Sequence, residues 1–154
     1  MPTPVPRTAA QGLTPTELRA WRGMLRVHNR LVKALDAELD REHGLPLTSY
    51  EVLMYVADAE DERMRMCDIA DCILLSRSGL TRLVDRLERD GLIARVACSD
   101  DGRGAYAQLT PAGREKLDAA RRTHLDGVRS RFLEHFSEEE LEGLGDLWGR
   151  LGVE

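Results

Sequence analysis

From Leu18 to Leu39 the chain places Leu18, Trp21, Leu25, His28, Val32, Leu35 and Leu39 at alternating intervals of three and four. That is the spacing of one helical face, with a histidine taking one place in an otherwise apolar row. Met24 and Leu31 widen the stripe. Thr14-Pro15-Thr16-Glu17 ahead of it is a capping box with proline at the first helical position. Gly44 and Pro46 stop the helix near His43. At 1.5 Å per residue such a helix is about 40 Å long, more than a small domain needs for its own core. The spacing therefore predicts a helix that packs on a partner.

The pattern then shortens. Thr48-Ser49-Tyr50-Glu51 is a second capping box, opening a helix through Val52, Leu53, Val56 and Ala57. The charged run from Asp58 to Arg65 reads as a loop, and Met66 to Cys72 as a short helix with Ile69 and Ala70 inward. Leu74 to Ser76 make a turn. Ser76 caps a helix from Arg77 to Asp90 that Gly91 ends. Ile93–Ala97 and Ala105–Leu109 read as a hairpin whose tip is the turn-rich stretch Ser99 to Gly104. Thr110-Pro111 starts a helix reaching Phe132. Ser137 to Glu140 form a last capping box, before a helix with Leu141, Leu144, Trp148 and Leu151 on one face.

In the helix after Ser76, Leu80, Leu83, Val84 and Leu87 share one side, while Arg77, Ser78, Thr81, Arg82 and Arg86 occupy the other. Short hydroxyls allow close approach to a major groove, and arginine binds guanine or clamps phosphate. The helix N-terminus favours a phosphate as well. A short helix, a tight turn and this helix form a helix-turn-helix, whose second helix enters the groove. An ordinary solvated helix face would share this pattern. The hairpin adds specificity, because its Gly-flanked Arg103 is placed to enter a narrow minor groove.

Composition bears on this reading in two ways. The net charge of −5 argues against a nucleic-acid partner at first sight. Yet residues 134–154 hold seven acids and one arginine, so the remainder carries a small positive excess. The acidic run Glu138 to Glu142 reads as a solvated helix start, where carboxylates are favoured. Three cysteines, an odd number, do not form a disulfide framework, and no apolar run reaches the length of a membrane span. A reduced cytoplasmic protein is expected, with residues 1–12, which carry Pro2, Pro4 and Pro6, as a flexible arm.

The stretches Ser76 to Arg95 (SRSGLTRLVDRLERDGLIAR) and Asp101 to Gly113 (DGRGAYAQLTPAG) resemble the multiple antibiotic resistance regulator (MarR) family. The likeness extends from about Leu13 to Leu151. It implies a mainly α winged helix-turn-helix protein with a small β-hairpin wing. The N-terminal helix (13–45) and the C-terminal helices (111–154) would form a dimerisation domain around a DNA-binding unit (46–110). It also implies a homodimer that recognises a pseudo-palindromic operator, with repression relieved by a ligand or by oxidation. By this resemblance Ser78, Thr81 and Arg82 meet groove and backbone, Arg103 meets the minor groove, and Asp101 braces the wing. Many relatives carry a second basic residue beside the wing arginine, where this chain has Gly102 and Gly104.

Other residues admit two readings. Trp21, His28 and Tyr50 are candidates to line a pocket for a small aromatic or anionic effector, although a histidine in an apolar stripe is more often a hydrogen-bonded core residue. His124 beside Arg121 and Arg122 could bind an anion, or simply sit on a surface helix. Cys67 and Cys72 could form a metal pair or a redox switch, but they lack zinc-knuckle spacing and read rather as small buried hydrophobes, as free cysteines often are. Cysteine is absent from the first helix, which disfavours peroxide sensing. No metal or cofactor is expected. There is no phosphate loop, nucleophile elbow or His-Glu-x-x-His, so an enzyme is not expected. The alternative to a DNA-binding regulator is a winged-helix module that contacts protein instead.

Overall fold

The computed structural model describes residues 12–73, 75–97 and 104–152. The expected arm, Cys98, Asp101 and Arg103 lie outside the described residues. Six α-helices and a small sheet follow in the order α1 (Pro15–His43), α2 (Leu47–Asp58), β1 (Arg63–Arg65), α3 (Met66–Cys72), α4 (Arg77–Arg89), β2 (Ile93–Ala97), β3 (Ala105–Leu109), α5 (Pro111–Arg131) and α6 (Glu138–Gly149). The architecture is a mainly helical winged helix-turn-helix.

Local chemistry sets most boundaries. Both arms of the Thr14–Glu17 box form, and Gly44 closes α1 in the left-handed conformation at φ 58°. Ser137 and Glu140 form the same reciprocal box on α6. Thr110 caps α5 by accepting from the Gly113 N–H, while its hydroxyl donates to the Gly91 carbonyl at 2.6 Å. Gly113 is buried there, and a Cβ at this position would run into the Leu92 carbonyl oxygen.

Two expectations are corrected. The Thr48 capping box does not form. Helix α2 starts two residues earlier, after Pro46, and lacks a side-chain cap of its own. Asp36 of α1 supplies it instead, accepting from the Leu47 N–H at 2.8 Å. The orphan donors of a helix start need an acceptor, and a neighbouring helix serves as well as a local residue. The stretch read as a loop contains β1, which pairs antiparallel with β3 and gives the sheet order β1-β3-β2. Three residues of the pattern Arg-Met-Arg are too few to register as a strand without their neighbour.

One core joins α1, α2, α3, α4, α5 and the sheet. Leu39, Leu53, Ile69, Leu87, Ile93 and Leu117 are all fully buried in it. The first half of α1 contributes nothing to this core, and neither does α6.

Candidate nucleic-acid interface

Helix α4 begins where the Gly79 N–H donates to Ser76 Oγ at 3.1 Å. The Ser76 and Ser78 hydroxyls lie 3.2 Å apart, so the hydroxyls of this first turn cluster at its positive end. Leu80, Leu83, Val84 and Leu87 face the core as expected. Ser78, Thr81 and Arg82 are exposed on the opposite side. The structure thus gathers three of the expected groove residues on one open face. The Arg77 side chain lies outside what the structure describes.

Arg86 departs from the expected arrangement. Its guanidinium donates to Ser49 Oγ of α2 at 2.8 Å instead of lying free on the groove face. Ser49 is almost wholly buried, and a buried hydroxyl requires a partner. The sequence separates the two by 37 positions, so the spacing within α4 could not reveal the bond.

Two features went unread in the sequence. Arg95 on β2 reaches across to α4, with its guanidinium 2.5 Å from Asp85 and 2.7 Å from Glu88. The Asp85 carboxylate, accepting its hydrogen bond, holds the Arg95 guanidinium above its ordinary pKa. On the outer side of the sheet, Arg63 and Arg65 lie over the Tyr106 ring at 5.3 and 5.6 Å. Arg65 Nε also donates to the Tyr106 hydroxyl at 3.2 Å. Only the β1–β3 register, which sets Arg65 opposite Tyr106, brings these side chains together.

Trp21, His28 and Tyr50 do not share a pocket. His28 lines an open cleft of about 730 Å³ with Lys33, Asp36, Glu51, Tyr55 and Arg86. Trp21 lies seven residues earlier, roughly 10 Å along the helix axis. It joins Leu13, Met24 and Trp148 in a separate apolar patch. Tyr50 points inward, its ring 4.5 Å from that of His124. Burial raises the Tyr50 hydroxyl above its ordinary pKa. The neighbouring Glu51 does line the cleft, and burial raises its carboxyl too. His28 is exposed, against the reading as a core histidine.

His124 is half-buried instead of lying on an open surface. Its Nδ1 has no hydrogen-bond partner among the described residues, and burial lowers its imidazole pKa. Arg121 turns toward Asp58 at 3.8 Å. Cys67 and Cys72 are free and exposed, which corrects the expectation of buried thiols. The short α3 turns only Ile69 fully into the core and leaves both thiols at its rim. Among the described residues no His, Cys, Asp and Glu are grouped as metal ligands. No described helix is long and apolar enough to cross a membrane.

Comparison with known proteins agrees with this geometry. The model of the MarR family matches residues 43–104, from the end of α1 to the start of β3. The HTH-type transcriptional repressor YetL of Bacillus subtilis is 32% identical over 114 residues, spanning 71% of this chain and 68% of that protein. The crystal structure of AbsC, a MarR family transcriptional regulator from Streptomyces coelicolor, superposes with a TM-score of 0.87 at 32% identity, covering 93% of this chain and 96% of AbsC. Sco3205 from the same organism, a MarR family transcriptional regulator solved in complex with DNA, gives 0.86 at 32% identity over 92% of each chain.

Proposed function

Since this chain belongs to the MarR family of DNA-binding transcription regulators, we propose that it works as a cytoplasmic homodimer that represses transcription from a pseudo-palindromic operator until a small effector releases it. The observation that carries this reading is the open Ser78, Thr81 and Arg82 face of α4, backed by a fully packed apolar face. Hydroxyls approach base edges closely, and an exposed arginine with no ion pair among the described residues can reach guanine or phosphate. A relative that is itself named a repressor favours repression.

Dimerisation would use residues 13–45 and 111–154, and DNA binding residues 46–110. Trp21, Leu25 and Val32 of α1, with Leu125, Phe136 and Trp148, leave apolar surface in water. A second copy is the natural cover for such a surface. Pairing would set two α4 helices about 34 Å apart, one turn of duplex. The cleft lined by His28, Lys33, Tyr55 and Arg86, with Asp36 and Glu51 beside them, is the place for a small aromatic or anionic effector, because it offers ring and cationic contacts and touches both α1 and α4. Nothing in this arrangement calls for catalysis.

Binding to a fragment of the promoter nearest its own gene, measured by fluorescence anisotropy over a salt series, tests the reading. Arg82→Ala should weaken binding by about 1–3 kcal/mol and, if the contact is to phosphate, reduce the salt slope by about one. Failure of the unaltered protein to bind any duplex would point to the protein-contact module instead.

A further inference from the structure

We propose that Arg95 is a positioning residue that locks the recognition helix to the wing, so that both reach one duplex in fixed register. The inference rests on the DNA-binding reading above. Arg95 leaves the middle of β2, opposite Ala107 of β3, on the side of the sheet that turns toward α4. Its two terminal nitrogens take different carboxylates of α4: Nη2 donates to Asp85 Oδ1 at 2.5 Å, and Nη1 donates to Glu88 Oε2 at 2.7 Å. The Arg95 backbone N–H adds a third bond, to Glu88 Oε1 at 3.3 Å. A planar fork with charge on both sides fixes angle as well as distance, which a lysine ammonium does not.

Placement gives the bridge its consequence. Asp85 stands three and four residues beyond Arg82 and Thr81, and seven beyond Ser78, so it continues the groove-facing stripe of α4. A bare carboxylate there would repel phosphate. Arg95 compensates that charge with a guanidinium already bonded to two carboxylates. The hydrophobic contacts beneath, Leu87 and Ile93, hold α4 near the sheet but are non-directional. The guanidinium fork therefore sets the helix-to-hairpin angle, and through it the distance between groove and wing contacts.

The test compares Arg95→Ala, Arg95→Lys and the double variant Asp85→Asn/Glu88→Gln in the full-length chain. Two readouts are used: operator affinity over a salt series, and hydrogen exchange of the amides in 93–97 and 105–109 without DNA. Arg95→Ala should lose roughly tenfold in affinity with an unchanged salt slope, Arg95→Lys should recover part of that, and the hairpin amides should exchange faster. The double variant makes the surface two charges more positive, so charge alone predicts tighter binding. The clamp predicts weaker binding and the same faster exchange. Tighter binding by the double variant would overturn the proposal. So would a slope reduced by about one in Arg95→Ala with unaltered hairpin exchange, the mark of a direct phosphate contact. Circular dichroism melts keep every variant below its own transition. Failure of the unaltered protein to bind any duplex would sink the DNA-binding reading, while the exchange readout would still report on the bridge.

Discussion

The segment from α2 to β3 and the helices that flank it handle their apolar side chains in opposite ways. In the first, Val52, Leu53, Val56, Ile69, Val84 and Ile93 are sealed within one chain. In the second, the row predicted along α1 divides. Leu35 and Leu39 reach the core, whereas Trp21 remains 52% exposed and Leu25 and Val32 stay open. Helix α6 buries no residue at all, although its capping box is complete. Both regions carry helical periodicity, so periodicity identifies an apolar face without saying what covers it. One region closes its apolar face within the chain, and the other leaves an apolar face uncovered.

The sharpest way to break this contrast is to truncate one residue on each side. Leu53→Ala removes three carbons' worth of packing at a fully buried site and should cost about 2–5 kcal/mol, read as a large drop in the thermal midpoint. Trp21→Ala combined with Leu25→Ala should leave the fold of the single chain intact. It should weaken self-association by about 2 kcal/mol or more, read by sedimentation across a dilution series. If the second variant unfolds the protein as the first does, without altering its mass, the two regions do not differ in kind.

A smaller effect probes the seam between the regions, where His124 of α5 stacks on Tyr50 of α2. Burial lowers the imidazole pKa below its ordinary value of 6.5, so the folded chain binds this proton less readily than the unfolded one. The stability it contributes is complete above about pH 6.5 and declines as pH falls through the lowered folded value. His124→Phe should therefore flatten the loss of thermal stability between neutral and mildly acidic pH. Parallel curves for the two proteins would show that this histidine does not titrate on unfolding.

Much of the site was legible beforehand because it depends on nearest neighbours. The Ser76 cap, the four-residue apolar face of α4 and the open Ser78, Thr81 and Arg82 all lie within thirteen residues of helix and its cap. Arg86 escaped the same logic because its partner, Ser49, lies on another helix. The grouping of Trp21, His28 and Tyr50 failed for a related reason. Two residues on one helical face can still be two turns apart, and Tyr50 turns away from the cleft that its neighbour Glu51 enters.

The order of helices and hairpin, the caps at Thr14, Ser76, Thr110 and Ser137, and the two-sided character of α4 were determined by the sequence alone. Each depends on hydrogen bonds and periodicity spanning three or four residues. Long-range packing brings Asp36 to the start of α2, makes Arg63–Arg65 an edge strand, sets Arg86 on Ser49 and ties β2 to α4 through Arg95. These contacts join elements through directed polar groups whose partners are chosen by packing, and packing is a property of the whole chain at once.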